Sequence, residues 1–144
     1  MRKNGFTLLE VLFSLSIWGL FILLSVPVMF SVIDKQEEKQ FFETFEFDLL
    51  YMQNMSYTTT DYIRLTFKLN SNTYEIRKGN NDELLVKRSI PDDWIVQKRK
   101  MTKPISFNAN GTIKQSGSLY IQTKLSEYRI VFPLGKGRCY IEKQ

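Results

Sequence analysis

Apolar residues crowd the start of the chain and then give way to two successive periodicities. From Phe6 to Ile33 there are 28 residues whose only charged member is Glu10. At about 1.5 Å per residue that run forms a helix of roughly 42 Å, and a bilayer core needs only about 20 apolar residues. The pattern predicts a membrane-spanning helix over 6–33. Phe41, Phe45, Leu49 and Met52 then recur at four- and three-residue steps, with Glu38, Glu43, Glu46 and Gln53 mostly on other faces. This predicts an amphipathic continuation of the helix within 34–60, ending near Ser56. The run Tyr57-Thr58-Thr59-Thr60 is a poor helical continuation because β-branched side chains lose rotamer freedom there.

After Thr60 the period changes to two: Ile63, Leu65, Phe67 and Leu69 alternate with Tyr62, Arg64, Thr66 and Lys68, the signature of a half-buried strand. Asn70-Ser71-Asn72 and Gly79-Asn80-Asn81-Asp82 supply turns before strands at Thr73–Arg77 and Leu84–Ile90, and Pro91-Asp92-Asp93 interrupts the series. Further strands are expected at Ile105–Phe107, Ser118–Thr123, Tyr128–Phe132 and Arg138–Glu142. The predicted class is α+β: a long N-terminal helix, transmembrane and then amphipathic, whose apolar stripe covers a small antiparallel β-sheet formed by 61–144.

The 144-residue length suits one such head domain. The chain has no His and a single Cys, which removes the commonest general base, imidazole metal ligands, thiolate clusters for zinc and any intramolecular disulfide. No serine-nucleophile motif or metal-ligand spacing is present in the sequence. The expectation is therefore a protein that is not an enzyme, with no catalytic residue, metal or cofactor. Gly135-Lys136-Gly137-Arg138 lacks the Gly-Lys-Ser/Thr ending of a phosphate loop and reads as a hairpin turn. The formal charge is +5, from 20 Lys+Arg against 15 Asp+Glu. Arg2 and Lys3 precede the apolar run and favour a cytoplasmic N-terminus, with the remainder of the chain outside.

Three kinds of N-terminal segment meet this description: a cleaved secretory signal, a plain anchor, and an anchor that is processed and then assembled. Secretory signals have an apolar region of about 7–15 residues and a small-residue cleavage site, which makes this run too long. A plain anchor has no use for Glu10, because an ionised carboxylate at mid-helix costs about 2.5–3.5 kcal/mol on insertion scales. Its place in the first turns lowers that cost and leaves a snorkelling side chain as the simpler alternative.

Gly5-Phe6-Thr7-Leu8-Leu9-Glu10-Val11 resembles the class III signal of type IV pilins and pseudopilins. The resemblance implies that prepilin peptidase removes the leader 1–5 by cutting between Gly5 and Phe6, that Phe6 is N-methylated, and that Glu10 contacts the N-terminus of a neighbouring subunit during assembly. It also gives Pro27, otherwise an ordinary membrane-helix proline that removes one hydrogen bond, a place in local helix melting within filaments. The glycine-punctuated arrangement from Phe107 to Ile141 resembles minor pseudopilin heads, most of all the competence type and the H-type of type II secretion. The implied partners are prepilin peptidase, major and other minor pseudopilins and, indirectly, an assembly platform and its ATPase. The implied place is the bacterial cell membrane, with a single pass, an external head and exposure at the cell surface after assembly.

Assembly of a competence pseudopilus for DNA uptake is the expected function. A secretion pseudopilin, a minor pilin of a type IV pilus, or a membrane-anchored adhesin or DNA receptor are the alternatives. Lys98, Arg99, Lys100 and Lys103 cluster near Trp94 and could contact DNA phosphates, although such a run is also what a solvated loop carries, and any link to DNA is expected to be indirect. Cys139 alternates with Ile141 as a small buried hydrophobe would, and an unpaired exported cysteine can instead bridge to another subunit.

Overall fold

A computed structural model describes residues 7–99, 101 and 103–144, with the side chains of 25–28 outside the described set. It is an α+β fold: one long N-terminal helix, α1 (Leu8–Thr58), followed by two small antiparallel sheets. The contacts divide the chain into two compact units, Met1–Glu37 and Glu38–Gln144.

In the first unit, Thr7 caps the helix. The Glu10 amide donates to Thr7 O at 3.1 Å and to Thr7 Oγ1 at 3.3 Å, which satisfies one of the amides left free at a helix start. The hydroxyls of Ser14 and Ser16 donate back to Glu10 O and Leu12 O, each at 2.8 Å. Both polar side chains are thereby satisfied within the helix, as an apolar solvent demands. The apolar side chains from Leu8 to Leu24 are exposed all round, Leu8 by 80% and Phe13 and Trp18 by 69% each. The helix α1 is, by length and composition, long and apolar enough to cross a membrane.

The second unit contains the core. Strands β1 (Ile63–Lys68), β2 (Thr73–Lys78) and β3 (Glu83–Ser89) form a three-stranded sheet in that order. A 3-10 turn at Leu69–Ser71 and left-handed Asn72 (φ 44°) close the first hairpin; Gly79 (φ 66°) and Asp82 (φ 59°) close the second. The second sheet is β4 (Ile95–Gln97), β5 (Gly117–Gln122), β6 (Glu127–Phe132) and β7 (Tyr140–Lys143), also in chain order. Phe42, Phe45, Leu49 and Met52 of α1 share one buried cluster with Leu65, Phe67 and Ile76 of the first sheet and Leu119, Ile121, Ile130 and Phe132 of the second. Phe45 stands at its centre, with ring centroids 5.3 Å from Tyr74, 5.8 Å from Phe67 and 6.5 Å from Phe132. The Tyr74 and Phe132 pairs are edge-to-face, an arrangement that adds to the stabilisation from the area they bury.

Four details differ from the sequence-based expectation. The head has two sheets, because the chain after Pro91-Asp92-Asp93 starts a short strand, β4, that pairs with β5 rather than with β3. Ile105 and Phe107 make only single bridges, to Leu65 and Ile113, in place of a strand. The last strand begins at Tyr140, two residues later than expected, because Gly135 and Lys136 bond to Ile113 before the chain joins β6. Finally, Phe42 takes the inner position on the helix and Phe41 is only half-buried.

Candidate functional site

Gly5, Phe6 and Lys100 lie outside the described residues. The helical span of α1 runs through position 27, and the Pro27 side chain is likewise outside the described set. Glu10 sits in the first turn of α1, three residues after the Thr7 cap, where the unpaired amides carry partial positive charge. Its side chain is exposed, and it is the only charged residue from Leu8 to Ile33. A carboxylate there can accept a hydrogen bond or ion pair from a cation brought alongside the helix. Such a pair gains strength where water is excluded.

The basic cluster expected near Trp94 does not converge on one point among its described members. The Lys98 ammonium donates to the Phe67 carbonyl at 2.7 Å, and burial, followed by the charge of Lys68, lowers its pKa from the ordinary lysine value. The Arg99 guanidinium lies over the Tyr120 ring of the second sheet, 4.7 Å from its centroid. Lys103 is exposed. The anchors are therefore separate, one on β1 and one on β5.

Cys139 is half-buried just before β7 and lines a cavity of about 450 Å³ with Glu46, Leu50, Gln53, Phe107 and Tyr140. Burial, with the nearby Glu46 charge second, pushes the thiol pKa up to about 11. The group is thus held as a thiol, a poor nucleophile for disulfide exchange at neutral pH. Beside it the Gln53 side chain donates from Nε2 to Gly111 O at 2.7 Å and to Gly137 O at 2.9 Å. Gly111 (φ 70°) faces Tyr57 so closely that a Cβ would lie 1.9 Å from the phenolic oxygen. Any side chain at 111 must displace Tyr57.

Two carboxylates of the amphipathic part of α1 are buried: Glu38, which the pattern placed among the residues on other faces, and Asp48. Asp48, 2% exposed, accepts the Tyr74 hydroxyl at 2.8 Å and the Arg88 guanidinium at 3.1 and 3.3 Å. Desolvation, then the Asp48 hydrogen bond and charge, raises the Tyr74 pKa well above the ordinary tyrosine value. Glu38, 5% exposed, accepts hydrogen bonds from the hydroxyls of Thr123 and Tyr128, the latter at 2.8 Å. The spacing held a signal for both: Asp48 falls three residues after Phe45 and four before Met52, and Glu38 falls three and four before Phe41 and Phe42. Each therefore lies on the stripe.

With this geometry in hand, no protein-family model matches the chain, and neither the curated proteins nor the solved structures contain a match.

Proposed function

We propose that the protein is a minor pseudopilin of the competence type, anchored by α1 and assembled into a pseudopilus that serves DNA uptake. The observation that carries this reading is Glu10: a lone acid four residues beyond Phe6, on an otherwise apolar segment whose side chains find no cover within their own unit. The sequence Gly5-Phe6-Thr7 leads straight into the helix cap, so a cut after Gly5 leaves a cationic amine near Glu10 in the sequence. A neighbouring subunit's amine can approach Glu10 in lipid, where no other charge of the segment competes for it. Pairing then offsets two desolvation costs together. The N-terminus is cytoplasmic and the head external in this reading, with prepilin peptidase, other pseudopilins and the assembly platform as partners.

Two measurements test the proposal. Mass spectrometry of the mature chain should find an N-terminal Phe6, methylated or not; an intact Met1 or a cut beyond Ser16 overturns it. Glu10→Val should be processed and inserted normally yet be lost from sheared or cross-linked assemblies by tenfold or more. Normal incorporation of the variant would reduce the segment to a plain anchor.

A further inference from the structure

The two faces of the first sheet differ sharply. Leu65, Phe67, Tyr74 and Ile76 point into the core. The opposite face carries Arg64, Thr66 and Lys68 on β1, Thr73, Glu75 and Arg77 on β2, and Lys87 and Ser89 on β3. The register sets Arg64 against Arg77, Thr66 against Glu75 and Lys87, and Lys68 against Thr73 and Ser89. At the turn end of this face the charges balance. Arg64 pairs with Asp82, while Arg77 bonds Glu75 at 2.8 Å and the Asp82 carbonyl at 3.0 Å.

At the other end they do not balance. Lys68 and Lys87 both act on Glu75, whose pKa is lowered by the Arg77 hydrogen bond first and by these charges after it. Glu75 is 7% exposed and already engaged, and among the described residues neither lysine forms an ion pair. Lys98 adds a third ammonium, tied to the β1 carbonyl of Phe67 and close enough to Lys68 to feel its charge. Like charges held together on a rigid surface favour an anion that spans them. Hydroxyls of Thr66 and Ser89 share the face, and its members within β1, β2 and β3 include no aromatic side chain on which a base could stack.

We infer that the outer face of the first sheet, centred on Lys68, Lys87 and Lys98, binds the phosphate backbone of DNA without reading its bases. The inference rests on the DNA-uptake reading for its biological setting, and it moves the contact from the linear run Lys98–Lys103 to a surface assembled from three strands and the end of β4. A row of phosphates suits it better than a single anion, because the cations are spread across neighbouring strands rather than gathered in a pocket.

The test uses the full chain in neutral detergent and a fluorescent 20-base-pair duplex, with binding followed by anisotropy over a series of salt concentrations. K68Q/K87Q should bind at least tenfold more weakly at low salt, and its plot of log affinity against log salt should be shallower by about 2, roughly one per lost phosphate contact. K114Q/K143Q removes two cations that rest on the Tyr62 and Tyr128 rings and should leave the slope near that of the parent. An unchanged slope in K68Q/K87Q, or an equal change in both variants, overturns the inference. So does displacement of the duplex by polyglutamate at the same charge concentration as competitor DNA, which would assign the face to an acidic protein. A mature N-terminus at Phe6 together with unchanged DNA binding removes only this inference, whereas an intact Met1 with the expected loss of binding removes only the pseudopilin reading.

Discussion

One helix, α1, is built to two different specifications. From Leu8 to Leu24 its apolar side chains are exposed on every side; from Glu38 to Thr58 one stripe is buried and the rest faces water. The first part finds no cover for its side chains within its own unit, and an all-round apolar helix gains nothing from folding in water. The second part gets its stability from packing, because helix propensity alone is weak and Phe45, Leu49 and Met52 are almost fully enclosed. The same backbone conformation thus rests on two unrelated sources of free energy, and a substitution should report which source it touches.

The sharpest contrast is between two phenylalanines. Phe45→Ala should destabilise the head by about 3–5 kcal/mol, whereas Phe13→Ala, removing a side chain 69% exposed, should change head unfolding by less than about 0.5 kcal/mol. Denaturant titration of the full chain in detergent, followed by near-ultraviolet circular dichroism, measures both. Equal effects would break the distinction.

The acids divide in the same way. Glu38→Ala leaves the Tyr128 hydroxyl without its acceptor, and the Thr123 hydroxyl with only the Ser126 carbonyl, and should cost the head about 1–3 kcal/mol. Glu10→Ala should leave the head's unfolding midpoint where it was.

The smallest effect expected is a pH dependence confined to the second part. Tyr74 has a folded-state pKa above its unfolded value, so the neutral phenol is favoured in the fold. Its contribution is fully present below the ordinary tyrosine pKa of about 10 and is lost progressively as pH rises beyond it. Tyr74→Phe should flatten that alkaline decline and cost about 1 kcal/mol at neutral pH through the lost bond to Asp48. Stability measured from pH 8 to 11 decides it, and an undiminished decline in the variant would place the titration elsewhere.

What could be read in the sequence was what local pattern dictates. The apolar run, the change from helical to alternating period at Thr60, and the turns at Asn72 and Gly79–Asp82 all rest on neighbours within a few residues. The division into two sheets was not legible, because β4 is three residues long and its partner begins twenty positions after it ends. Ile105 and Phe107 alternate like a strand yet find only isolated bridges. At the candidate sites, Glu10 stood out because nothing else near it is charged. The lysines of the first sheet did not stand out: Lys68, Lys87 and Lys98 are scattered along the chain and meet only through the β1–β2–β3 register and the Lys98 bond to Phe67. Glu38 was placed among the residues on other faces and Asp48 drew no notice, because their hydrogen-bond donors lie 26 to 90 residues away.

The Gln53 amide clasps two carbonyls, at Gly111 and Gly137, which lie 58 and 84 residues further along the chain. During synthesis from the N-terminus, the helix is made first and waits for both. Its end can be fastened only when the chain has been made as far as Gly137 and both carbonyls have reached the helix. The head should therefore fold late and all at once, and a chain that stalls before Gly137 would leave the stripe of α1 uncovered to whatever quality-control machinery attends it.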